Sequence, residues 1–346
     1  MATHYLAHHK AGAFPPGPRG YPLIGILPML LRDPLQFMLD ISARYGDVIG
    51  LRAGPARFYL LNHPDHVKHL LQDHHRNYQK GANLAMLKRL MGEGLVTSEG
   101  EFWLRQRRLV QPAFHHQRIA GMAATIADST AAMLERWRPI AARGESFNMV
   151  PEMMRLTQQI IVRTMFGGAI GEQTEAVYQA LSTVLGHLGG MLWTGALPAW
   201  MAPGRRRFEQ ALQTLDRIVF DMIDACRRRG ADADNLLAML LQARDEETGA
   251  GMSDQQIRDE VMTLFVAGHE TTANALAWAF SLLAQHPEVA ARLERELAVV
   301  LGDRPPAFHD LPRLPYTKMV IDEVLRLYPS GWVLFRTPRA DDEIGG

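Results

Sequence analysis

The sequence lacks several features that define large classes of proteins. It has one cysteine, Cys226, so it has no internal disulfide framework and fits a reducing compartment. Its 37 basic and 37 acidic residues balance, so no bulk charge favours nucleic acid as a partner. No stretch of 18 apolar residues is free of charge and proline, and we therefore predict no membrane span.

The first residues also lack the apolar region of a signal peptide. Residues 1–13 are a short polar tail with three histidines and one lysine, followed by a stiff Pro-Pro-Gly-Pro segment at Pro15–Pro18. With 47% hydrophobic residues, the remaining chain is long enough to bury a sizeable core. We expect a soluble, cytoplasmic protein.

One long apolar segment dominates what the sequence does contain. Ser253 with Gln256 three residues later is typical of a capping box, and His286-Pro287 is a helix stop. The interval of about 32 residues corresponds to roughly 48 Å of helix at 1.5 Å per residue. Few of its side chains are ionisable, so we predict a single central helix over about 253–285 that runs through the core.

Shorter patterns predict further elements, mostly helical. Helices are expected from Asp33-Pro34 to Tyr45-Gly46, and over about 101–111, 287–301 and 316–327. A hairpin at 48–51 and 57–61 is the only clear strand pair, and the apolar segment 331–336 reads as a further strand.

The centre of the long helix contains residues that are locally costly. Gly268 in a helix interior costs about 1 kcal/mol relative to alanine. Glu270 in apolar surroundings must be paired, solvated or protonated. Thr271 and Thr272 can donate to carbonyls one turn earlier and loosen the helix. Because such violations concentrate at functional sites, we interpret this turn as the seat of a flat group with a proton path beside it.

Two other interpretations of this turn compete with this one. His269-Glu270 begins like the zinc-binding pattern His-Glu-x-x-His, but position 273 is alanine, which argues against a zinc hydrolase. Glu270 can also be a satisfied buried acid with a purely structural role. The segment alone does not decide between this structural role and a functional one.

Three motifs in order resemble one family. They are Ala-Gly-x-Glu-Thr-Thr at Ala267–Thr272, Trp103-x-x-x-Arg107 and Glu323-x-x-Arg326. Together, behind the Pro15–Pro18 segment, they resemble the haem-thiolate monooxygenases, the cytochrome P-450 family. The resemblance covers the chain from about Phe14 to the end.

This resemblance implies a mainly α, cytochrome P-450-like fold with a small β region, in one domain at 14–346. The family continues with a Phe-x-x-Gly-x-x-x-Cys-x-Gly loop whose cysteine ligates the iron, and Gly346 precedes any such loop. Cys226 lacks the preceding Phe-x-x-Gly, so we do not assign it as the ligand. We expect an incomplete domain, without the axial cysteine and inactive as written.

The resemblance also implies roles around haem b. Trp103 and Arg107, four residues apart on one helix face, would donate to a propionate; the alternative is Trp103 packing under the Arg107 stem. Arg336 would reach the other propionate, with Arg339 as its local competitor. The catalytic residues would be Glu270 and Thr271, as a proton relay. The residues against the haem would be Ala267 and Gly268.

Other residues are expected to line the substrate pocket or to brace the fold. The predicted lining residues are Met86, Leu264, Val333 and Leu334. Glu323 and Arg326 would form a structural pair that is part buried. Arg105 and Arg108 form either a docking surface for an electron donor or a solvated face.

The function implied is a haem-dependent monooxygenase that inserts one atom of dioxygen into a lipophilic small molecule. Electrons would come from a ferredoxin- or flavodoxin-type donor. The alternative is a haem-free or inactive relative that binds a small molecule or a partner; a peroxide-driven or isomerising member of the fold is a third hypothesis. Fatty acids, terpenoids and aromatics all remain open as substrates.

Overall fold

The chain is mainly helical, with two small antiparallel sheets, in the residues that the structure describes. The structure is a computed structural model, and it describes residues 14–81, 84, 87–167, 174–194, 204–229 and 235–345. The tail at 1–13 and the pocket candidate Met86 lie outside these residues. The predicted fold class is confirmed.

The helices are numbered in chain order. They are α1 Leu27–Arg32, α2 Pro34–Tyr45, α3 Pro64–Lys68, α4 Lys88–Met91, α5 Gly100–Val110, α6 His116–Ala142, α7 Met149–Phe166, α8 Thr174–Thr194, α9 Arg205–Arg229, α10 Leu236–Gln242, α11 Asp254–Gln285, α12 Pro287–Leu301 and α13 Pro315–Leu327. The strands are β1 Val48–Ala53, β2 Ala56–Leu61, β3 Tyr78–Lys80 and β4 Arg336–Pro338.

Two compact units can be distinguished, and each has its own core. Among the described residues, the smaller unit contains 14–81, 84, 186–194 and 335–345, and the larger contains 87–167, 174–185, 204–229 and 235–334. In the smaller unit, Ile41 of α2 packs with Ile49 and Leu51 of β1. In the larger unit, α11 runs along α7.

Both sheets are short antiparallel pairs. β1 and β2 pair from Val48 opposite Leu61 to Ala53 opposite Ala56, as the hairpin prediction requires. The second pair, β3 with β4, was not predicted, because its strands have three residues each and are far apart in sequence. The expectation of a strand at 331–336 was wrong: only Arg336 lies in β4, since the partner strand pairs no earlier residue.

The central helix begins and ends where the sequence predicts. Ser253 Oγ accepts a hydrogen bond from the Gln256 backbone N–H at 3.2 Å, and Gln256 Oε1 accepts one from Ser253 N–H at 2.8 Å. This reciprocal capping box satisfies two helix-terminal donors. At the other end α11 stops at Gln285, and Pro287 begins α12.

The first turns of α11 are buried on every side, from Ile257 to Thr263. Farther along, one face packs on α6 and α7, where Ala273 contacts a cluster containing Met133, Met153 and Leu156. The Thr157 hydroxyl on α7 donates to the carbonyl of His269 at 3.0 Å. The helix therefore runs through the core along its first half and lies against the core by one face after that.

The segment before α5 is fixed on the buried start of α11. Glu93 N–H donates to Asp259 Oδ2 at 2.8 Å, and Leu95 N–H donates to Glu260 Oε2 at 3.1 Å. Gly94 permits this approach, because a Cβ there would lie 2.1 Å from Thr263 Oγ1 and 2.7 Å from the Asp259 carbonyl oxygen. The placement of α5 in the larger unit thus depends on backbone contacts of the preceding segment with the central helix.

Among the described helices, none combines the length and the apolar character that a bilayer crossing requires.

Two glycine substitutions test whether the close contact between the segment before α5 and α11 requires a glycine at position 94. We expect Gly94→Ala to lower the free energy of unfolding by about 1–3 kcal/mol, because the added methyl group must displace the backbone of α11 or the segment itself. Gly121→Ala on α6 is the control: its Cβ meets nothing within 4 Å. That change should raise the free energy of unfolding by about 0.5–1 kcal/mol. Urea unfolding measures both changes. An unchanged free energy of unfolding in Gly94→Ala would contradict the close contact between this segment and α11.

Candidate active site

The middle of α11 carries a strip of small side chains that is open to solvent. Ala267, Gly268, Thr271 and Thr272 are exposed, and Leu264 beside them is half-buried. We call the four exposed residues the open strip. Ala273, on the opposite side of the helix, is fully buried. The open strip is the apolar surface on which a flat group could lie.

Both threonines of the open strip donate to the preceding turn, as predicted. Thr271 Oγ1 donates to the Ala267 carbonyl at 2.7 Å, and Thr272 Oγ1 donates to the Gly268 carbonyl at 3.0 Å. The carbonyl of Thr271 in turn accepts a hydrogen bond from Ser330 Oγ at 2.8 Å. These bonds compete with the helical ladder at this turn.

Glu270 is half-buried, between the open strip and the core face. Within the described part of the chain, no side chain donates a hydrogen bond to its carboxylate. A half-buried acid of this kind can exchange protons with water at its exposed side.

His269 is turned the other way and is buried. Its Nδ1 lies 3.0 Å from the Phe265 carbonyl oxygen, which fits a neutral ring that donates from Nδ1. Burial lowers the pKa of His269, although the Phe265 carbonyl and the charge of Glu270 oppose that change. His269 therefore contributes to the core of this helix and not to the open strip.

Gly268 lies close to one side chain of α7. A Cβ at this position would lie 2.5 Å from Cδ1 of Ile161 on α7. This atom is the far end of a flexible side chain, which can shift, so packing on α7 does not by itself require a glycine. The expected position of Gly268 against a cofactor stays a prediction.

Trp103 and Arg107 share one face of α5, as their spacing predicts. The guanidinium carbon of Arg107 lies 5.2 Å from the centroid of the Trp103 ring, so the packing alternative is present in the structure. Arg107 is nevertheless exposed, and its N–H groups bind no acceptor among the described residues. Its donors point to a place where a carboxylate could be bound.

The neighbouring arginines of α5 are engaged elsewhere. Arg108 Nη1 donates to Glu247 at 2.6 Å, and Arg105 lies over the ring of Phe102 with 5.9 Å from its guanidinium carbon to the ring centroid. Arg108 is thus neutralised by an acid of the same unit. Of the three arginines, only Arg108 has an acidic partner in the described structure.

Glu323 and Arg326 form the predicted pair on α13. Arg326 Nε and Nη2 donate to the two carboxylate oxygens of Glu323, each at 2.7 Å, and this pairing lowers the pKa of Glu323. The expectation that the pair is part buried was wrong: the side chains are 55% and 67% exposed. The physical reason is rotation around the helix, because α13 buries Val324 and turns its neighbours outward.

The remaining predicted residues lie near β4. Arg336 is half-buried at the start of that strand and donates to the Phe335 carbonyl at 2.9 Å. Val333 is half-buried, and Leu334 is 63% exposed. Their roles at a haem propionate and in a substrate pocket stay predictions.

Two contacts between α11 and the residues that follow α13 were not predicted from the sequence. The rings of Trp278 and Tyr328 stack at 3.9 Å with an angle of 10° between their planes. Ser330, two residues beyond Tyr328, binds the carbonyl of Thr271. The available signal was that Trp278 lies seven residues, about two helical turns, after Thr271 and so shares its face.

These residues fit haem b by the chemistry of their groups. A haem needs an apolar seat for its ring and donors for its carboxylates. The open strip supplies the seat, and the indole and guanidinium of α5 supply donors. Glu270 and Thr271 add an acid and a hydroxyl at the same turn of α11.

Comparison with known proteins agrees with this fit. The family model for cytochrome P450 matches residues 15–346. A cyclooctat-9-en-7-ol 5-monooxygenase of Streptomyces melanosporofaciens is 40% identical, over 95% of this chain and 71% of its own length. Cyclooctatin synthase of the same organism is 38% identical, with coverages of 100% and 74%. Pentalenene oxygenase of Streptomyces avermitilis is 33% identical, with coverages of 95% and 72%.

The family model and the three relatives give the same assignment as the motifs on α5, α11 and α13. The chain belongs to the cytochrome P450 family of haem monooxygenases, enzymes that use haem b.

Proposed function

We propose that this enzyme inserts one atom of dioxygen into an unsaturated lipophilic hydrocarbon or alcohol. The observation that carries the proposal is the open strip of α11, with an unpaired carboxylate and a hydroxyl at the same turn. A small apolar surface can accept a flat cofactor and an apolar substrate. The adjacent acid can supply protons from water to that surface.

Haem b, when bound, supplies the iron that activates dioxygen. We assign Ala267 and Gly268 to the surface on which its ring rests. Trp103 and Arg107 hold one propionate through an indole N–H and a guanidinium, and Arg336 holds the other. Leu264, Met86, Val333 and Leu334 are assigned to the apolar lining around the substrate.

Protons reach the reacting side of the helix through Glu270 and Thr271. The Glu270 carboxylate takes a proton from solvent and releases it toward the open strip, which is the task of a general acid. Thr271 Oγ1 donates to the Ala267 carbonyl, so its lone pairs are left to accept a hydrogen bond from a neighbouring donor. The hydroxyl thereby holds one end of a hydrogen-bonded path on the open strip.

The relatives favour one of the substrate classes that the sequence leaves open. Two of them are named for cyclooctat-9-en-7-ol and for pentalenene, an unsaturated alcohol and an unsaturated hydrocarbon. We therefore favour a terpenoid-type substrate over fatty acids and aromatics. A ferredoxin- or flavodoxin-type protein is the proposed electron donor.

A spectrum tests the haem assignment directly. The reduced protein, produced with a haem precursor and extended by the family's cysteine loop, should give a thiolate-type absorption band with carbon monoxide. Absence of the band in that form would contradict the proposal and favour a haem-free binding protein. A band from residues 1–346 alone would require Cys226 as ligand, although that residue is only 3% exposed on α9.

Removal of the Arg107 charge tests the proposed propionate contact. In the haem-loaded protein, Arg107→Gln should weaken haem retention by about tenfold to a hundredfold, the loss expected for a hydrogen bond to a charged group. The rate of haem transfer to a competing acceptor protein measures the change. Arg108→Gln is the matched control, because that side chain binds Glu247. Equal loss in both variants would contradict a specific role for Arg107.

The two adjacent threonines test the proton path. Thr271→Ala should leave haem binding intact but divert electrons to hydrogen peroxide, lowering the product formed per electron pair by about tenfold or more. Thr272→Ala removes an equivalent back-bond, to Gly268, and should leave this ratio unchanged. Product, peroxide and cofactor consumption are measured together. Unchanged coupling in Thr271→Ala would remove Thr271 from the path.

A further inference from the structure

Two histidines and an aspartate that have no role in the proposed function converge in the smaller unit. His69, His74 and Asp342 each present a potential ligand atom, and these atoms all lie within 4.8 Å of one another. We call these three residues the His69 cluster. Imidazole nitrogens and a carboxylate oxygen are the ligands that zinc and similar divalent metals prefer.

A rare helical turn brings the two histidines together. Residues His69–Asp73 form a π-helical turn, and His74 N–H donates to the His69 carbonyl at 2.8 Å. In an α-helix, residues five apart would point about 140° away from each other at 3.6 residues per turn. In this turn their rings stack at 4.0 Å with 12° between their planes. π-helical turns are frequent at functional sites.

The β3–β4 sheet positions the segment that carries Asp342. Tyr78 of β3 pairs with Pro338 of β4, and the contact continues past the strands where Arg339 N–H donates to the Asn77 carbonyl at 2.7 Å. The Asn77 side chain then binds both the N–H and the carbonyl of Ala340, at 3.0 and 3.2 Å. The segment that carries Asp342 is thus fixed beside the π-helical turn.

Asp342 is held as an oriented anion. Its Oδ2 accepts a hydrogen bond from the Tyr78 hydroxyl at 2.6 Å and lies 2.9 Å from His69 Nε2, while Oδ1 accepts from Glu343 N–H at 2.9 Å. Partial burial alone would raise the pKa of Asp342, but these hydrogen bonds outweigh it and hold the pKa at about 2. Tyr78 therefore acts on the carboxylate as outer partners act on metal ligands.

The cluster is also reachable from solvent. His74 is exposed, and the side chains of His69 and Asp342 are 24% and 14% exposed. A tetrahedral ion with bonds of about 2.0–2.2 Å places its ligand atoms roughly 3.4 Å apart, so the three side chains need shifts of about 1 Å to converge. Rotation of the two stacked rings about their side-chain torsions provides such shifts.

We propose that His69, His74 and Asp342 bind a divalent transition-metal ion of the zinc class. Water completes the coordination on the exposed side. The ion joins the π-helical turn after α3 to the segment after β4, two stretches more than 260 residues apart in sequence. Its role is to stabilise the β3–β4 sheet by binding the folded form.

Zinc binding to the full chain tests the proposal. The histidines of the N-terminal tail, His4, His8 and His9, are first changed to glutamine to remove their background, and no affinity tag is used. Titration with zinc at about pH 7.5, where ordinary imidazoles are neutral, should show one bound ion and a higher unfolding temperature. Cobalt should give the absorption of a nitrogen- and oxygen-ligated site.

Substitution separates this site from a simple histidine–aspartate pair. His74→Ala keeps the His69–Asp342 contact but removes one ligand, and it should weaken zinc binding by about tenfold or more. His75→Ala is the control, because that imidazole binds the Gln72 carbonyl and lies outside the cluster. It should bind zinc like the parent. Lack of zinc binding in the parent, or equal affinity in His74→Ala and the parent, would overturn the proposal.

Discussion

The arrangement of much of the larger unit depends on two buried carboxylates on the central helix. Asp259 and Glu260 accept backbone hydrogen bonds from Glu93 and Leu95, and Arg258 compensates the first of them at 3.0 Å. A buried carboxylate is costly unless it is paired and hydrogen-bonded, so the approaching backbone must stay in register with the helix. That register places the start of α5, which follows within a few residues.

This contact lets one helix serve two purposes. The first turns of α11 are surrounded and hold the chain in place, and the turn from Ala267 to Thr272 is left open on one side. The open turn is stabilised indirectly, by α7 behind it and by the Ser330 hydroxyl on the Thr271 carbonyl. Residues that weaken a helix can therefore occupy this turn without unfolding it.

How well each element could be predicted depends on how far apart in sequence its interacting residues lie. The bounds of α2, α11 and α12 were predictable because caps and prolines act within one turn. The stacking of Trp278 on Tyr328 and the β3–β4 pair depend on residues far apart in sequence, and no local pattern encodes them. The exposure of Glu323 was missed for the same reason: spacing shows that two residues share a turn but not which side of it is covered.

Packing does not account for three residues of the turn from Ala267 to Thr272. A Cβ at position 268 would meet only the flexible end of Ile161, so packing on α7 does not by itself require glycine there. Thr271 and Glu270 have no packing reason either: Thr271 is exposed, and Glu270 is half-buried without a donor to its carboxylate in the described residues. An exposed hydroxyl and an unpaired acid contribute little to stability here. The chemical interpretation of this helix therefore depends on Gly268, Glu270 and Thr271 together.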